Sequence, residues 1–323
     1  MPHDLNTPAP AISILAPAFD IARFVGAALD SVVAQGFTDW EMLVVDDGSR
    51  DGTAAVVQTR RDPRIRLLRQ ENLGVSTARS RAMAEARGDA FMFLDADDWL
   101  APDALLRLSA ALEAVPGAVG AHGACAFMAE EAGPGDPPLQ IKASPPAGDL
   151  LELLLVQNRF TNGGQLLLRR EAVLRAGPFL AHLRYGEDWE YWIRLAMQGP
   201  FAAVPAQDPL LFVRQRRGSA YHRMARDPAA FAPAMSAIFG NPLLADRLGA
   251  ARLDALRIRC EAENTWIMGR EMIRHGQRAA GLERLRASVI AAPSPKRALL
   301  LAAAHALPVL PRPLHGPFTA YPG

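Results

Sequence analysis

Phe91-Met92-Phe93-Leu94-Asp95-Ala96-Asp97-Asp98-Trp99 sets an apolar run against three carboxylates within four positions. The run reads as a buried strand from Ala90 to Leu94, and the acids stand at its carboxyl end. Carboxylates this close repel one another, and each is costly to take out of water. Something cationic should offset them. A divalent ion fits, because Mg²⁺ takes one or two protein carboxylates and completes its shell with phosphates and water. Helix capping is the alternative, since Asp98 or Asp103 could cap a helix that opens near Pro102. A cap does not account for Asp95 and Asp97.

The same pattern recurs upstream. In Val44-Val45-Asp46-Asp47-Gly48-Ser49-Arg50-Asp51-Gly52 a buried strand (Met42 to Val45) again ends in paired carboxylates. Asp46 or Asp47 can accept hydrogen bonds from a base or a ribose, whereas Ser49 to Gly52 reads as turn and N-cap chemistry. A third cluster, Tyr185-Gly186-Glu187-Asp188-Trp189-Glu190, puts acids where a helix begins, which the macrodipole favours. Beside the other two clusters, a base that activates an acceptor hydroxyl fits there.

Working outward, short apolar strands alternate with amphipathic helices. Ile12 to Leu15 and Ile65 to Leu68 complete the strand set, with helices over Ile21 to Ala34, Thr53 to Gln58 and Val75 to Ala86. This alternation predicts an α/β fold, a mostly parallel sheet flanked by helices, with ligands beyond the carboxyl ends of the strands. Glu130 to Ala147 is rich in Pro, Gly and small residues and reads as a surface loop. A helix near Leu150 to Val156, a strand near Gln165 to Leu168 and a helix over Trp189 to Met197 follow. Beyond about Tyr221 the pattern is helical, with candidate helices at Leu253 to Ile267 and Gly281 to Ile290.

Composition excludes several classes. The 323 residues are 50% hydrophobic with a formal net charge of +1, so bulk charge does not argue for a nucleic acid partner. Cys125 and Cys260 are too few and too far apart for a zinc site or a disulfide framework. No stretch reaches the roughly 20 apolar residues of a spanning helix. The start has no signal-peptide pattern, so a cytoplasmic location is expected. The run Ala298 to Leu310, flanked by Arg297 and Arg312, reads as a core helix ahead of an interfacial one at the inner face of a membrane.

Taken together, these segments resemble the family 2 glycosyltransferases with the GT-A fold. Ser13-Ile14-Leu15-Ala16-Pro17-Ala18-Phe19-Asp20 is similar to the family's first strand and its Pro-x-aromatic-Asn loop. Leu29-Asp30-Ser31-Val32 and Gln35 follow as its first helix does. Val44 to Gly52 resembles VDDGSxDGT, Asn72-Leu73-Gly74 with Ala78-Arg79 the NxG…AR segment, and Asp95-Ala96-Asp97-Asp98 the DxD motif. Gly186-Glu187-Asp188-Trp189 with Arg194 resembles the ED-W…R helix. The resemblance covers roughly residues 11 to 219. Each motif alone is weak; their order and spacing are specific.

What the resemblance implies is a metal-dependent, inverting transfer of a sugar from a nucleotide diphosphate donor to a hydroxyl acceptor. Pro17, Phe19 and Asp20 would line the donor site, with Phe19 at the base and Asp46 or Asp47 binding it. Arg79 would lie near base and diphosphate. Asp95 and Ala96 would meet ribose or sugar, and Asp97 would ligate Mn²⁺ or Mg²⁺. Asp188 would be the base, with Glu187 beside it, and Asn162, Gly163 and Trp189 would stand on the acceptor side. A UDP-sugar is the expected donor. The expected acceptor is a glycan or lipid-linked glycan in surface polysaccharide, lipopolysaccharide or glycoprotein glycan synthesis.

Two departures stand out. Asp20 replaces the family's Asn, and in Phe212-Val213-Arg214-Gln215-Arg216-Arg217-Gly218-Ser219 Arg216 stands where the family carries His. Arginine cannot ligate a metal but can pair with phosphate. That exchange keeps a non-catalytic nucleotide-sugar-binding protein as the alternative, with a nucleotidyltransferase behind it for want of a Gly-rich phosphate loop. The expected layout is a tail over 1–10, a GT-A domain over 11–222 (nucleotide-sugar half 11–99, acceptor half 100–222) and an α-helical C-terminal extension over 223–323.

Overall fold

The computed structural model describes residues 9–205, 208–216, 230–274 and 276–306. The readings made above on the first eight residues, on Arg217 to Ser219 and on the chain beyond 306 lie outside them. In chain order the elements are β1 (Ile12–Ala18), α1 (Val25–Val33), β2 (Trp40–Asp46), α2 (Thr53–Thr59), β3 (Ile65–Arg69), α3 (Val75–Glu85), β4 (Ala90–Phe93), β5 (Trp99–Leu100), α4 (Ala104–Glu113), β6 (Gly120–His122), β7 (Cys125–Met128) and β8 (Gln140–Lys142). Then come α5 (Leu151–Val156), β9 (Leu166–Arg169), α6 (Arg170–Ala176), α7 (Glu187–Ala196), β10 (Phe201–Ala203), β11 (Leu211–Arg214), α8 (Ala232–Phe239), α9 (Pro242–Leu248), α10 (Ala250–Arg274), α11 (Arg278–Ala291) and α12 (Pro295–Ala306).

The chain divides into two compact units: Met1–Leu150 with Phe160–Arg214, and Leu151–Arg159 with Gln215–Gly323. The first is built on a seven-stranded sheet in the order β10-β6-β9-β4-β1-β2-β3. β1 pairs in parallel with β2 and with β4, and β2 with β3. Both faces are covered, so Ile14, Leu15, Val44, Val45, Met92 and Phe93 are buried on either side of the pleat. This explains their unbroken apolar runs. Register sets the site. Ala18 stands opposite Asp46 and Leu15 opposite Phe93, so the acidic ends of β2 and β4 flank the end of β1.

The sheet departs from all-parallel at β9, which runs antiparallel between β4 and β6. The cause is local. Gly163 lies against the end of β4, where a Cβ would come 2.6 Å from Phe93 Cβ. A chain entering beside the carboxyl end of β4 can pair with it only by running back. The Pro- and Gly-rich segment from Glu130 to Ala147 is mostly loop but carries β8, part of a second sheet ordered β5-β11-β7-β8.

In the second unit α10 and α11 cross closely, because a Cβ on Gly281 would lie 2.6 Å from the Gly269 carbonyl oxygen. Trp266, Ile273, Leu285 and Ala304 form its core, with Leu300 and Leu301 of α12 packed on it. The described part of the C-terminal apolar run is therefore a core helix, although Leu299 is 72% exposed. Cys125 and Cys260 are free and buried. No helix among the described residues is long and apolar enough to cross a membrane.

Candidate active site

The loop that leaves β1 is tied to the loop that leaves β2. Asp20 has φ 46°, a left-handed conformation that Asn and Asp adopt more readily than most residues. Its carboxylate accepts the N–H groups of Arg50 at 2.8 Å and Asp51 at 3.3 Å, while its own N–H donates to Ser49 Oγ. Asp51 accepts from Thr53 N and Ala22 N, as turn chemistry predicts. Between these ties Pro17 sits in β1, and Phe19 projects a ring that is 47% exposed.

Asp46 and Asp47 are both buried and largely committed to backbone. Asp46 accepts Ser49 N at 2.9 Å and faces the Arg69 guanidinium. Asp47 accepts Gln70 Nε2 at 2.7 Å, Leu73 N at 2.9 Å and Gly74 N at 2.8 Å. Gly48 follows with φ 77°, and a Cβ there would lie 2.8 Å from Asn72 N, so only glycine lets the two segments close.

At the end of β4 the three acids part company. Asp98 turns inward: it accepts the backbone N–H of Arg214 at 2.8 Å and the side-chain amide of Asn162 at 2.5 Å. Burial, then the charges of Asp97 and Asp95, push its carboxyl well above the usual range. Neither Asp98 nor Asp103 caps α4 through its side chain. Arg214 holds the turn together. Its guanidinium donates to the carbonyls of Asp97 (3.1 Å), Glu130 (2.6 Å) and Ala132 (2.5 Å), and lies over the rings of Trp99 and Phe24. Asp95 and Asp97 stay partly exposed, with Ala96 buried between them.

Arg79 brings the third cluster in. It lies on the buried face of α3 and donates to Asp95 Oδ1 at 2.9 Å and to Glu187 Oε1 at 3.0 Å, 108 residues away. Burial works against its charge, and the carboxylates of Asp95, Glu187 and Asp188 overcome that, so its pKa is raised. α7 begins after Gly186 with Glu187, Asp188 and Glu190 in its first turn, where the dipole favours acids. Asp188 is pushed up to about 7 by burial and by the charge of Glu187, with Arg79 pulling it down. A carboxyl poised near neutrality suits a general base.

The remaining expected residues are placed as follows. Asn162 is buried and also caps the turn at Gly163–Gln165, Gly163 packs on Phe93, and Trp189 is buried in α7. Arg216 is partly buried just past β11, in the stretch assigned to the second unit. Sequence reasoning missed Arg214 as a support and did not foresee the Arg79–Glu187 contact. Only the resemblance of Phe212 to Ser219 to the family's loop drew attention to that stretch.

Among the described residues no three His, Cys, Asp or Glu side chains converge as a complete metal site. What the cluster offers is partly exposed hard oxygen on Asp95 and Asp97, with Arg79 paired to Asp95. That set fits a divalent ion which draws the rest of its shell from phosphate and water.

Comparison with known proteins decides the class. Residues 13–174 match the family described as Glycosyl transferase family 2, which is half of the chain. The chain belongs to this family. Among its relatives is the uncharacterized glycosyltransferase EpsJ of Bacillus subtilis, 33% identical over 102 residues, which is 31% of this chain and 30% of that one. The match therefore spans under a third of that relative's length. Among solved structures, S. aureus TarS 1–349 aligns with a TM-score of 0.61 at 19% identity, over 91% of this chain and 87% of that one. The mannosyltransferase PcManGT from Pyrobaculum calidifontis, in complex with GDP-Man and Mn²⁺, aligns at 0.57 and 22% identity over 95% and 83%. These likenesses show a GT-A fold.

Proposed function

We propose that this glycosyltransferase moves a sugar from a nucleoside diphosphate donor to a hydroxyl acceptor with inversion, and that Asp188 is the base. The observation that carries the reading is the Arg79 bridge, which sets a strand-end acid and the α7 acids around one point. TarS has been solved with UDP-GlcNAc and PcManGT with GDP-Man and Mn²⁺, which supports a nucleotide sugar as donor.

In this reading the exposed ring of Phe19 receives the base, and the loops fixed by Asp20, Asp46 and Asp47 shape the nucleoside pocket. Asp97 is the residue that would hold a divalent ion, whose charge would offset the leaving diphosphate. Asp188 takes the proton of the acceptor hydroxyl. The acceptor oxygen bonds to the anomeric carbon, and the carbon–oxygen bond to the diphosphate breaks with its electron pair leaving on the diphosphate. Attack from the opposite face inverts the centre. Arg216, where the resembled pattern has His, can pair with phosphate. A glycan or lipid-linked glycan is the acceptor class, in surface polysaccharide or related synthesis.

Calorimetric titration of UDP, GDP and dTDP, with Mn²⁺ and then with EDTA, tests this. Metal-dependent binding of one nucleotide over the others is expected. Equal binding in EDTA would remove Asp97 from its role, and no binding at all would overturn the donor assignment.

A further inference from the structure

A cavity of about 450 Å³ lies beside the first turn of α3 and the segment that leads to α7, with Ala181, Leu183 and Arg184 on its far wall. The N-cap of α3 is Gly74, which has no side chain to cap the helix. The N–H groups of Leu73 and Gly74 go to Asp47, but those of the first turn, Val75 to Thr77, have no intrahelical acceptor and carry the positive end of the dipole. A second feature points to a ligand. Ser76, only 3% exposed, lines the cavity, and its hydroxyl has no hydrogen-bond partner among the described residues. Buried hydroxyls are normally paired, so one left over on a cavity wall marks a missing partner. Arg184 is exposed on the same cavity and is the one charged side chain lining it among the described residues.

We propose that this cavity binds an anionic sugar, with a carboxylate or phosphate on the ring received by the first-turn amides of α3, the Ser76 hydroxyl and the Arg184 guanidinium. The charge argument decides the class. The Asp95, Asp97, Glu187 and Asp188 cluster is strongly acidic, whereas this cavity pairs a helix N-terminus with an arginine and has no acid among the described residues that line it. A neutral sugar would leave those donors to water. The volume suits a monosaccharide ring, and Leu73 and Leu183 offer it an apolar wall. Gly74 leaves the mouth open, since nothing lies within 4 Å of where its Cβ would be. Arg184 stands three residues before Glu187, so the anionic group would sit beside the reacting centre. Naming the ligand as a substrate sugar rests on the proposed transfer; the anion site itself does not.

The test is amide-resolved NMR of the full chain, titrated separately with inorganic phosphate, methyl glucuronide and methyl glucoside. Saturable shifts at Val75, Ser76 and Thr77 with the two anions, and none with the neutral glucoside, are expected. Phosphate alone acting would assign the site to a phosphate ester, the glucuronide alone to a uronic acid. Ser76→Ala and Arg184→Gln should each weaken anion binding five-fold or more, and Arg184 is exposed, so that variant tests the site without threatening the fold. No saturable shift with either anion, or equal shifts with the glucoside, overturns the proposal. Nucleoside diphosphate binding, read in parallel at Phe19, reports separately on the donor reading.

Discussion

Arg214 gives its backbone N–H to Asp98 at 2.8 Å across 116 positions of sequence, while its guanidinium holds the carbonyl of Asp97. One residue thus fixes both the buried acid and the backbone of the exposed acid beside it. Arg214→Ala removes three hydrogen bonds made by the guanidinium, a cost of about 1–3 kcal/mol. Urea denaturation should show that loss. Nucleotide affinity in Mn²⁺ should fall further than affinity in EDTA, because the turn carrying Asp97 is loosened. Equal loss in both buffers would make Arg214 a purely structural residue.

Asp188→Asn removes the proposed base with little change in shape. Donor affinity should stay within two-fold, and transfer should fall by about 10²–10⁴-fold. A radiolabelled-sugar assay beside calorimetry separates the two. Normal turnover would move the base elsewhere.

The pH profile follows from the same carboxyl. A base must be ionised, and burial holds Asp188 at about 7. In the free enzyme kcat/KM should therefore rise about tenfold per unit below pH 7 and level off above it. Arg79 lowers that value, so in Arg79→Gln the midpoint should move to higher pH. A midpoint that stays, or moves down, would show that Arg79 does not tune the base.

His122 predicts acid sensitivity of the fold itself. Its ring lies among Phe160 and Phe201, its Nε2 is buried without a partner among the described residues, and burial depresses it to about 4. The unfolded chain takes up a proton near pH 6.5 while the folded one does not. Stability is thus present above pH 6.5 and lost as pH falls towards 4, by about 3 kcal/mol at 1.36 kcal/mol per pKa unit. Denaturation midpoints at pH 7, 5.5 and 4.5, compared with His122→Gln, should show a shallower fall in the variant.

Gly163→Ala should destabilise the chain by about 1–3 kcal/mol through overpacking. The added methyl would sit 2.6 Å from Phe93 Cβ and 2.7 Å from the Phe93 carbonyl. A lower Tm by calorimetry is the readout, and an unchanged Tm would show that the β4–β9 approach can relax.

The carboxyl ends of β2 and β4 were legible because both strands are buried on two faces and stop at charges. α3 and α7 were legible from periodicity and from acids or glycine at their ends. β6 was not: Gly120 to His122 is three small or polar residues whose strand character comes from pairing with β9 and β10. The reversal of β9 depends on where Gly163 meets Phe93, and no spacing encodes that. Within the site the residue types could be read in sequence, but not their pairing. That Arg79 bridges to Glu187, and that Asp98 turns inward while Asp95 does not, are decided by contacts across a hundred residues.

Asp20 carries a consequence for how this enzyme can drift. Its left-handed backbone excludes branched and bulky side chains, and its carboxylate must still reach two N–H groups of the neighbouring loop. Ancestry can therefore exchange little at position 20 beyond one atom at the side-chain tip, oxygen for amide nitrogen, which is the difference between this chain and the pattern it resembles. Divergence in donor preference has to be sought in the residues around that knot.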